Sequence, residues 1–466
     1  MTPAAPRRRL WPLAACGLCL GAALVAFNLL YLSAPAGLGP IYNLAEPPLR
    51  AAYAQRVPLP TVEISAKTLA RASLALQAGM WCAFFAALLL LRKLRDTPAE
   101  RSALKVVVAV SAVVSLALIV TPPILSSDVY HYALFGRMIV AHGLNPYVTP
   151  IDAIRGDPLW PFSHWTEYST HYGPVFTGIS TLAAAAGAGH PIATAIAFKV
   201  LATAFGVLAT WSVVALARQQ GRSALVPAAL LCWNPLVVLE TAGSAHNDIV
   251  MMGLALAGLA VAGRGRPNLG FALLVGSVHV KWVTGGLLGL VAIARLREIE
   301  GGRARARELA KLAAIVVGIT LAVYLPFWTG LASITAPTRL LGGGHAVPGP
   351  RAAYLIAFLV VVAISAVVVV RSGRRHYLEM AAVVCLAFVA FVFPFTLPWY
   401  LLPSIVLLAA GQAIRAPTRP NLALSIITTA LALLLMLGWA YIVPIEPHYP
   451  TLPTLPTLPP SSTGSR

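Results

Sequence analysis

The sequence predicts an all-α protein that crosses a membrane about thirteen times. Hydrophobic residues make up 58% of the 466 residues and charged residues only 11%, a composition far from that of a soluble domain. Apolar runs of about 17 residues or more recur along the chain, and each is long enough to cross a bilayer as a helix. Spanning strands would give short alternating segments instead. The predicted fold class is a polytopic transmembrane helix bundle.

The first apolar run begins after Arg7-Arg8-Arg9 and extends from Leu10 to Leu32. It is longer than the apolar part of a signal peptide, so we expect a first span with its N-terminus in the cytoplasm. Spans are predicted at roughly 10–33, 73–92, 104–121, 192–217, 223–241, 247–262, 310–329, 352–371, 378–397, 399–414 and 421–443.

The net charge is +19. The distribution of the basic residues indicates how the chain is oriented in the membrane, and we expect no nucleic-acid partner. Lysine and arginine cluster in short loops between the apolar runs, as cytoplasmic flanks do, and they suit anionic membrane lipids. This pattern places four segments outside: loops 34–72, 122–171 and 330–351, and a Pro-rich, disordered tail 444–466.

Two segments allow alternative topologies. Residues 172–189 and 268–294 each form one crossing, or else 172–189 is an external or re-entrant helix and 268–294 is a hairpin of two short helices. The second arrangement is preferred because it places Lys281 at the hairpin tip, whereas an unpaired lysine at mid-bilayer is costly.

In the preferred topology four polar sites face the outer side. Ionisable residues at membrane depth are functional candidates. The sites are the Asp128 loop, the turn Gly243 to Asp248, the tip His279 to Trp282, and the loop holding Arg339 and His345.

Asp128 is the candidate catalytic residue, as a general base for a hydroxyl nucleophile. Its alternative role is to cap an amphipathic helix at 129–141. Tyr130 and His131 can be substrate contacts or interfacial anchors. Arg137 can bind phosphate or extend to lipid head groups.

Lys281 lies inside an apolar segment and therefore needs a counter-charge. A lipid-linked phosphate can supply it, and an internal acid such as Glu240 is the alternative. Asp248 can likewise be functional or a helix cap. No P-loop, Gly-rich dinucleotide turn, HExxH or GxSxG pattern is present. We therefore expect an activated donor that comes from the membrane, and no cofactor or metal.

Several motifs resemble the GT-C superfamily of integral-membrane glycosyltransferases, over roughly residues 104–330. Asp128 to Tyr132, Phe135-Gly136-Arg137 and Asn145-Pro146-Tyr147 are similar to the DVYRY…GR…NPY external loop of bacterial mannosyltransferases that use polyprenyl-phosphate mannose. Three further matches follow in the same order as in the family. His171-Tyr172-Gly173-Pro174 is similar to the family's Tyr-Pro-Pro helix start, with Gly173 in place of the first proline. Trp233 to Leu236 and Gly243 to Asp248 resemble its WNPL…GHND stretch, and Ser277 to Trp282 resembles its VKW or HFK segment.

The resemblance implies a sugar transfer, with inversion, from a polyprenyl-phosphate donor to a hydroxyl of an envelope glycan or glycolipid. The sugar would be mannose, Asp128 the base, and Lys281 the partner of the leaving phosphate, helped by Arg137 or His246. The matched motifs extend the expected substrate-binding set to Asp248, Tyr130, His131, Asn145 and Tyr172, and the outer loop with Arg339 adds His345.

The resemblance also implies a bacterial plasma-membrane protein with its active site on the outer face. Its catalytic module would be 104–330, between N-terminal spans in 1–103 and C-terminal spans in 331–443, with the tail at 444–466. Two other classes stay open: a transporter or flippase for a lipid-linked sugar, whose charges serve a translocation path, and a non-catalytic scaffold of envelope assembly.

Overall fold

The computed structural model describes residues 10–33, 62–123, 125–163, 166–335, 351–392, 397–416 and 419–445. Regular structure within these ranges is entirely helical, which confirms the predicted fold class. Most of loop 34–72, Arg339, His345 and the tail after Ile445 lie outside the described residues.

The described residues of the N-terminal half contain eight α-helices, and the last of them is followed directly by a π-helical turn, Leu239–Gly243. The helices are α1 Trp11–Ser33, α2 Ala66–Leu94, α3 Glu100–Val120, α4 Asp128–Val140, α5 Pro174–Gly187, α6 Pro191–Gln219, α7 Leu225–Cys232 and α8 Pro235–Val238. Prolines open α5, α6 and α8, where their missing N–H has no intrahelical partner in any case.

The C-terminal half contains nine further α-helices among the described residues. They are α9 Asn247–Ala262, α10 Pro267–Val278, α11 Gly285–Arg297, α12 Gly302–Tyr324, α13 Leu331–Thr335, α14 Arg351–Ser372, α15 Tyr377–Phe391, α16 Leu402–Ile414 and α17 Arg419–Ile445.

Six helices in the described ranges are long and apolar enough to cross a membrane. A seventh is counted if α7 and the segment Pro235–Gly243, which meet at 51°, form one bent span. The predicted number of about thirteen is therefore not confirmed, because helices such as α9, α10 and α15 are apolar but shorter than the 18 residues of a full span. The six are Trp11–Leu32, Lys67–Leu94, Glu100–Val120, Pro191–Gln219, Gly302–Phe327 and Ala353–Arg375.

The core is centred on α9 and α16, whose residues are nearly all buried. By contrast, α12 and α14 expose long apolar side chains such as Leu321, Leu359 and Ile364. Exposed aliphatic surface of this extent is unusual in a soluble monomer and suits contact with lipid.

The segment 268–294 is a helical hairpin, as the preferred topology predicted. Its helices α10 and α11 are separated by a break that holds Lys281. Arg295, near the end of α11, donates to the carbonyl of Pro267 and the amide oxygen of Asn268, at 3.0 and 2.9 Å. The two helices therefore run antiparallel, with Lys281 at the tip.

Helix α4 forms close to the predicted position but is enclosed by its neighbours. Nine of its 13 residues are buried, from Val129 to Gly136 and at Met138. Gly136 permits this packing, because a Cβ there would lie 2.3 Å from the carbonyl oxygen of Ser180 in α5. The expected amphipathic helix thus has no open polar face along these residues.

Candidate active site

Three of the four predicted polar sites meet at one side of the bundle, which we call the site side. The imidazole Nε2 of His246 lies 3.5 Å from Oδ2 of Asp128. Lys281 Nζ lies 2.9 and 3.0 Å from the two carboxylate oxygens of Asp248. The turn before α9 therefore connects the Asp128 loop to the hairpin tip.

Asp128 is the first residue of α4, and its carboxylate faces side chains. Its amide donates to Ser126 Oγ at 3.1 Å, and the hydroxyl of Tyr132 donates to Oδ2 at 3.3 Å. The N-cap is Ser127, which makes no side-chain capping bond. The Asp128 side chain is 23% exposed, so it can reach an incoming molecule.

His246 is held between two carboxylates. Its Nδ1 lies 2.7 Å from Oε2 of Glu240, while Nε2 faces Asp128. Its ring stacks on Trp399 at 4.2 Å between centroids, and both His246 and Glu240 are buried. Glu240 belongs to the π-helical turn, a distortion that is frequent at functional sites.

The charges of Asp128, His246 and Glu240 stabilise one another. Asp128 and His246 lie outside the candidate spans. Burial alone would raise the pKa of the Asp128 carboxyl, but His246, with smaller effects of His131 and Ser126, holds that pKa below its usual value. Burial lowers the pKa of His246, but Glu240 and Asp128 outweigh it and raise the pKa to about 9. At neutral pH an imidazolium therefore lies between two carboxylates.

Lys281 is paired internally, with Asp248 as its partner. Glu240, which the sequence suggests as an alternative counter-charge for Lys281, is instead bound to His246. The ammonium also lies 5.0 Å from the ring centroid of Tyr400. An ammonium has three N–H donors, so two bonds to Asp248 leave one donor for a ligand. Asp248 is the second residue of α9 and uses its carboxylate in this pair, whereas the N-cap is His246.

Two polar side chains beside these pairs have buried atoms without hydrogen-bond partners among the described residues. Neither amide atom of Asn247 has a hydrogen-bond partner among the described residues, and the same holds for Nδ1 of His171. Buried polar groups without partners are uncommon in folded proteins. Their positions next to His246 and Tyr172 favour hydrogen bonds to a bound molecule.

Aromatic residues of the predicted set surround Asp128. Tyr172 packs edge-on against Tyr132 at 5.1 Å between centroids. The hydroxyl of Tyr130 donates to the carbonyl of Pro191 at 3.4 Å. His131 Nδ1 lies 3.2 Å from Ser163 Oγ. Tyr130, His131 and Tyr172 are all buried, and their direct contact with substrate stays a prediction.

Arg137 and Asn145 make their contacts elsewhere. Arg137 Nε binds both carboxylate oxygens of the buried Asp157 at 2.7 and 2.8 Å, and it lies about 13 Å along α4 from Asp128 at 1.5 Å per residue. Asn145 donates to the carbonyl of Phe327 at 2.9 Å and accepts from the amide of Tyr147 at 3.0 Å. The structure therefore does not bring these two residues into the Asp128 cluster.

Gly173, just before α5, stands where the family's Tyr-Pro-Pro motif has its first proline. The close approach of the segment before Lys281 leaves no room for a larger residue here. The Gly173 amide donates to the carbonyl of Val280 at 3.1 Å, and a Cβ at this position would lie 2.1 Å from the carbonyl oxygen of His279. Proline has no N–H and would also clash. Glycine therefore allows the chain before α5 to lie directly on the segment that carries Lys281.

We expect Gly173→Ala to destabilise the site side of the bundle. The added methyl must displace the His279 backbone, and overpacking of this kind costs about 1–3 kcal/mol. The matched control is Gly178→Ala in α5, where a Cβ meets nothing within 4 Å. In detergent, the unfolding temperature should fall for Gly173→Ala alone; equal temperatures for both variants would contradict this packing.

Sequence reasoning missed three contributors to the site. Tyr132 was read only as part of a motif, although the i to i+4 spacing from Asp128 places both on one helical face. Trp399 and Tyr400 come from the predicted C-terminal spans, beyond the expected catalytic module 104–330. The Pro-Trp-Tyr sequence of a helix start was their one local signal. The module boundaries stay a prediction.

The protein is a helical membrane bundle of the GT-C glycosyltransferase type. Asp128 lies at the start of α4, and Lys281 lies at the tip of a helical hairpin. Residues 39–297, more than half of the chain, match the family alpha-(1->6)-mannopyranosyltransferase, N-terminal domain. The chain belongs to this family, and the resemblance predicted from the motifs is confirmed.

Individual relatives carry the same name. The chain is 28% identical over 191 residues to alpha-(1->6)-mannopyranosyltransferase A of Corynebacterium glutamicum, covering 41% of this chain and 39% of that protein. It is 27% identical over 209 residues to alpha-(1->6)-mannopyranosyltransferase A of Mycobacterium tuberculosis, covering 44% and 40%. A second alpha-(1->6)-mannopyranosyltransferase of that organism is 28% identical over 406 residues, covering 68% and 66%.

The chain spans about two fifths of the length of the first two of these relatives. No solved structure matches the chain.

Proposed function

We propose that the protein transfers mannose from a polyprenyl-phosphate donor to a hydroxyl of an envelope glycan or glycolipid, forming an alpha-(1->6) linkage with inversion. The family and the names of the relatives support the sugar and the linkage. The observation that carries the reaction is Asp128: it is 23% exposed, whereas the carboxylates of Glu240 and Asp248 are 2% exposed.

Asp128 acts as the general base. The acceptor oxygen bonds to the anomeric carbon, the bond from that carbon to the phosphate oxygen breaks, and the hydroxyl proton passes to the Asp128 carboxylate. Glycosyl transfer proceeds through an oxocarbenium-like transition state, in which the attacking hydroxyl becomes acidic as its bond forms. A carboxylate with a lowered pKa is therefore a sufficient base. The imidazolium of His246 holds this carboxylate ionised and oriented.

Lys281 stabilises the leaving phosphate with its remaining N–H. The phosphate gains negative charge as the sugar departs, and a cation at that point stabilises the transition state more than the ground state. Asp248 fixes the direction of the ammonium. The buried, unsatisfied amide of Asn247 is suited to a sugar hydroxyl.

The site side corresponds to the outer face of a bacterial plasma membrane. Basic residues such as Arg92, Arg218 and Arg264 lie at helix ends away from Asp128, and basic loops favour the cytoplasm. A donor on the outer face is a lipid-linked sugar, because nucleotide sugars are cytoplasmic substrates.

The donor is tested with purified protein in lipid nanodiscs. We expect mannose transfer from polyprenyl-phosphate mannose and none from GDP-mannose, with the new linkage assigned by nuclear magnetic resonance. Transfer from GDP-mannose alone would contradict the lipid donor, and lipid translocation without transfer would favour the transporter class.

A further inference from the structure

A half-open cavity of about 280 Å³ lies at the C-terminal end of α6. The N-terminal end of the same helix lies at the site side, where the Pro191 carbonyl accepts the Tyr130 hydroxyl. The 29 residues of α6 span about 43 Å at 1.5 Å per residue. This length equals the bilayer thickness including both head-group layers, about 40–45 Å. The cavity therefore lies at the head-group layer opposite to Asp128.

The rim of this cavity carries two arginines, Arg218 and Arg264, that have no counter-charge within the part of the chain that the structure describes. No carboxylate of the described residues lies within 4 Å of Arg218 or Arg264, whereas Arg137, Arg295 and Arg415 all have one. Arg264 instead stacks on the ring of Trp211, with its guanidinium carbon 4.6 Å from the ring centroid. Stacking holds the guanidinium plane in place and leaves its edge free to bind an anion.

The remaining lining of the cavity is apolar except for Gln219, which is held by a hydrogen bond. Val214 and Ala215 form its floor beside Trp211, which lies about 12 Å before the end of α6. This depth is where tryptophan is enriched in membrane proteins. Gln219 donates to the carbonyl of Ala260 at 3.0 Å, so the wall between α6 and α9 is held in position.

We propose that this cavity binds the phosphate of an anionic membrane lipid. Arg218 and Arg264 bind the phosphate oxygens, and the apolar floor receives the first carbons of the chain below it. Arginine binds phosphate in a two-pronged geometry, and the division into a charged rim and an apolar floor matches a lipid better than a soluble anion. A glycerophospholipid and a polyprenyl phosphate share this chemistry.

The test compares lipid binding by the wild-type protein and by a double variant with Arg218→Gln and Arg264→Gln. Binding of phosphatidylglycerol, polyprenyl phosphate and inorganic phosphate is measured by native mass spectrometry of the intact protein. We expect the double variant to lose at least about ten-fold in affinity for a lipid phosphate, since two charge-assisted contacts are removed. The ratio between the two lipids identifies the source of the phosphate.

The matched control removes the same charge outside the cavity lining, with Arg303→Gln and Arg307→Gln at exposed positions in the first turns of α12. This control should retain wild-type affinity. A second measurement uses brominated phosphatidylglycerol, whose quenching of fluorescence should decrease in Trp211→Phe. Equal losses in both double variants, or inorganic phosphate binding as tightly as either lipid, would overturn the proposal.

Discussion

Asp128→Asn should lower the rate of mannose transfer by about a thousand-fold. The amide cannot accept the hydroxyl proton, and general-base catalysis contributes about 10²–10⁴ to a rate. The substitution keeps the size of the side chain and an oxygen for Tyr132 Oη–H, so the fold and donor binding should persist. Initial transfer rates and donor-induced thermal stabilisation, measured on the same preparation, separate these effects.

The matched control for this variant is Asp152→Asn. Asp152 lies in the same loop region between α4 and α5, with its side chain 29% exposed and bound to Arg155. Its other side-chain partners, Thr166 and Trp160, are not members of the Asp128 cluster. We expect wild-type transfer from this variant. A rate for Asp128→Asn within ten-fold of that of the control would contradict the base assignment.

The double variant His246→Gln with Glu240→Gln should move the acidic limb of the pH profile upward. In the wild type the His246 imidazolium lowers the pKa of Asp128, so the base stays ionised as the pH falls to about 4, the usual carboxyl value. Without that cation, burial raises the pKa. Activity should then be lost on acidification at a pH at least about one unit higher.

Glu240→Gln is included so that a loss of folding is not mistaken for a change in the pH profile. His246→Gln alone leaves Glu240 buried and unpaired, which is strongly destabilising. With both residues changed to glutamine, the pair can hydrogen-bond without charge. The readout is kcat/KM against pH, which reports groups of the free enzyme. An acidic limb unchanged from the wild type would show that His246 does not tune Asp128.

The sequence predicted the members of the site better than their pairings. Asp128, His246, Asp248 and Lys281 were each identified because ionisable residues are conspicuous in apolar surroundings, and the structure brings them together. The pairings could not be predicted, because Glu240 reaches His246 only through the π-helical turn. That turn has no sequence signal beyond a run of small residues after Glu240.

Residues far apart in the sequence were harder to assign. Trp399 and Tyr400 reach the cluster through tertiary packing of the C-terminal helices, which periodicity does not report. Arg137 was expected near a phosphate, but its partner Asp157 lies in an irregular segment whose path cannot be derived from local propensity. The predicted number of spans is not confirmed for a related reason: short apolar helices buried against one another resemble spans in composition.

The central claim is that Asp128 deprotonates the acceptor, and chemical rescue tests it most directly. Azide is an anionic nucleophile that needs no base. With polyprenyl-phosphate mannose as donor, Asp128→Ala should fail to mannosylate its hydroxyl acceptor but should form mannosyl azide of inverted configuration, faster than the wild-type protein does. Continued transfer to the hydroxyl acceptor by Asp128→Ala, or no azide product from a variant that still binds donor, would contradict this account.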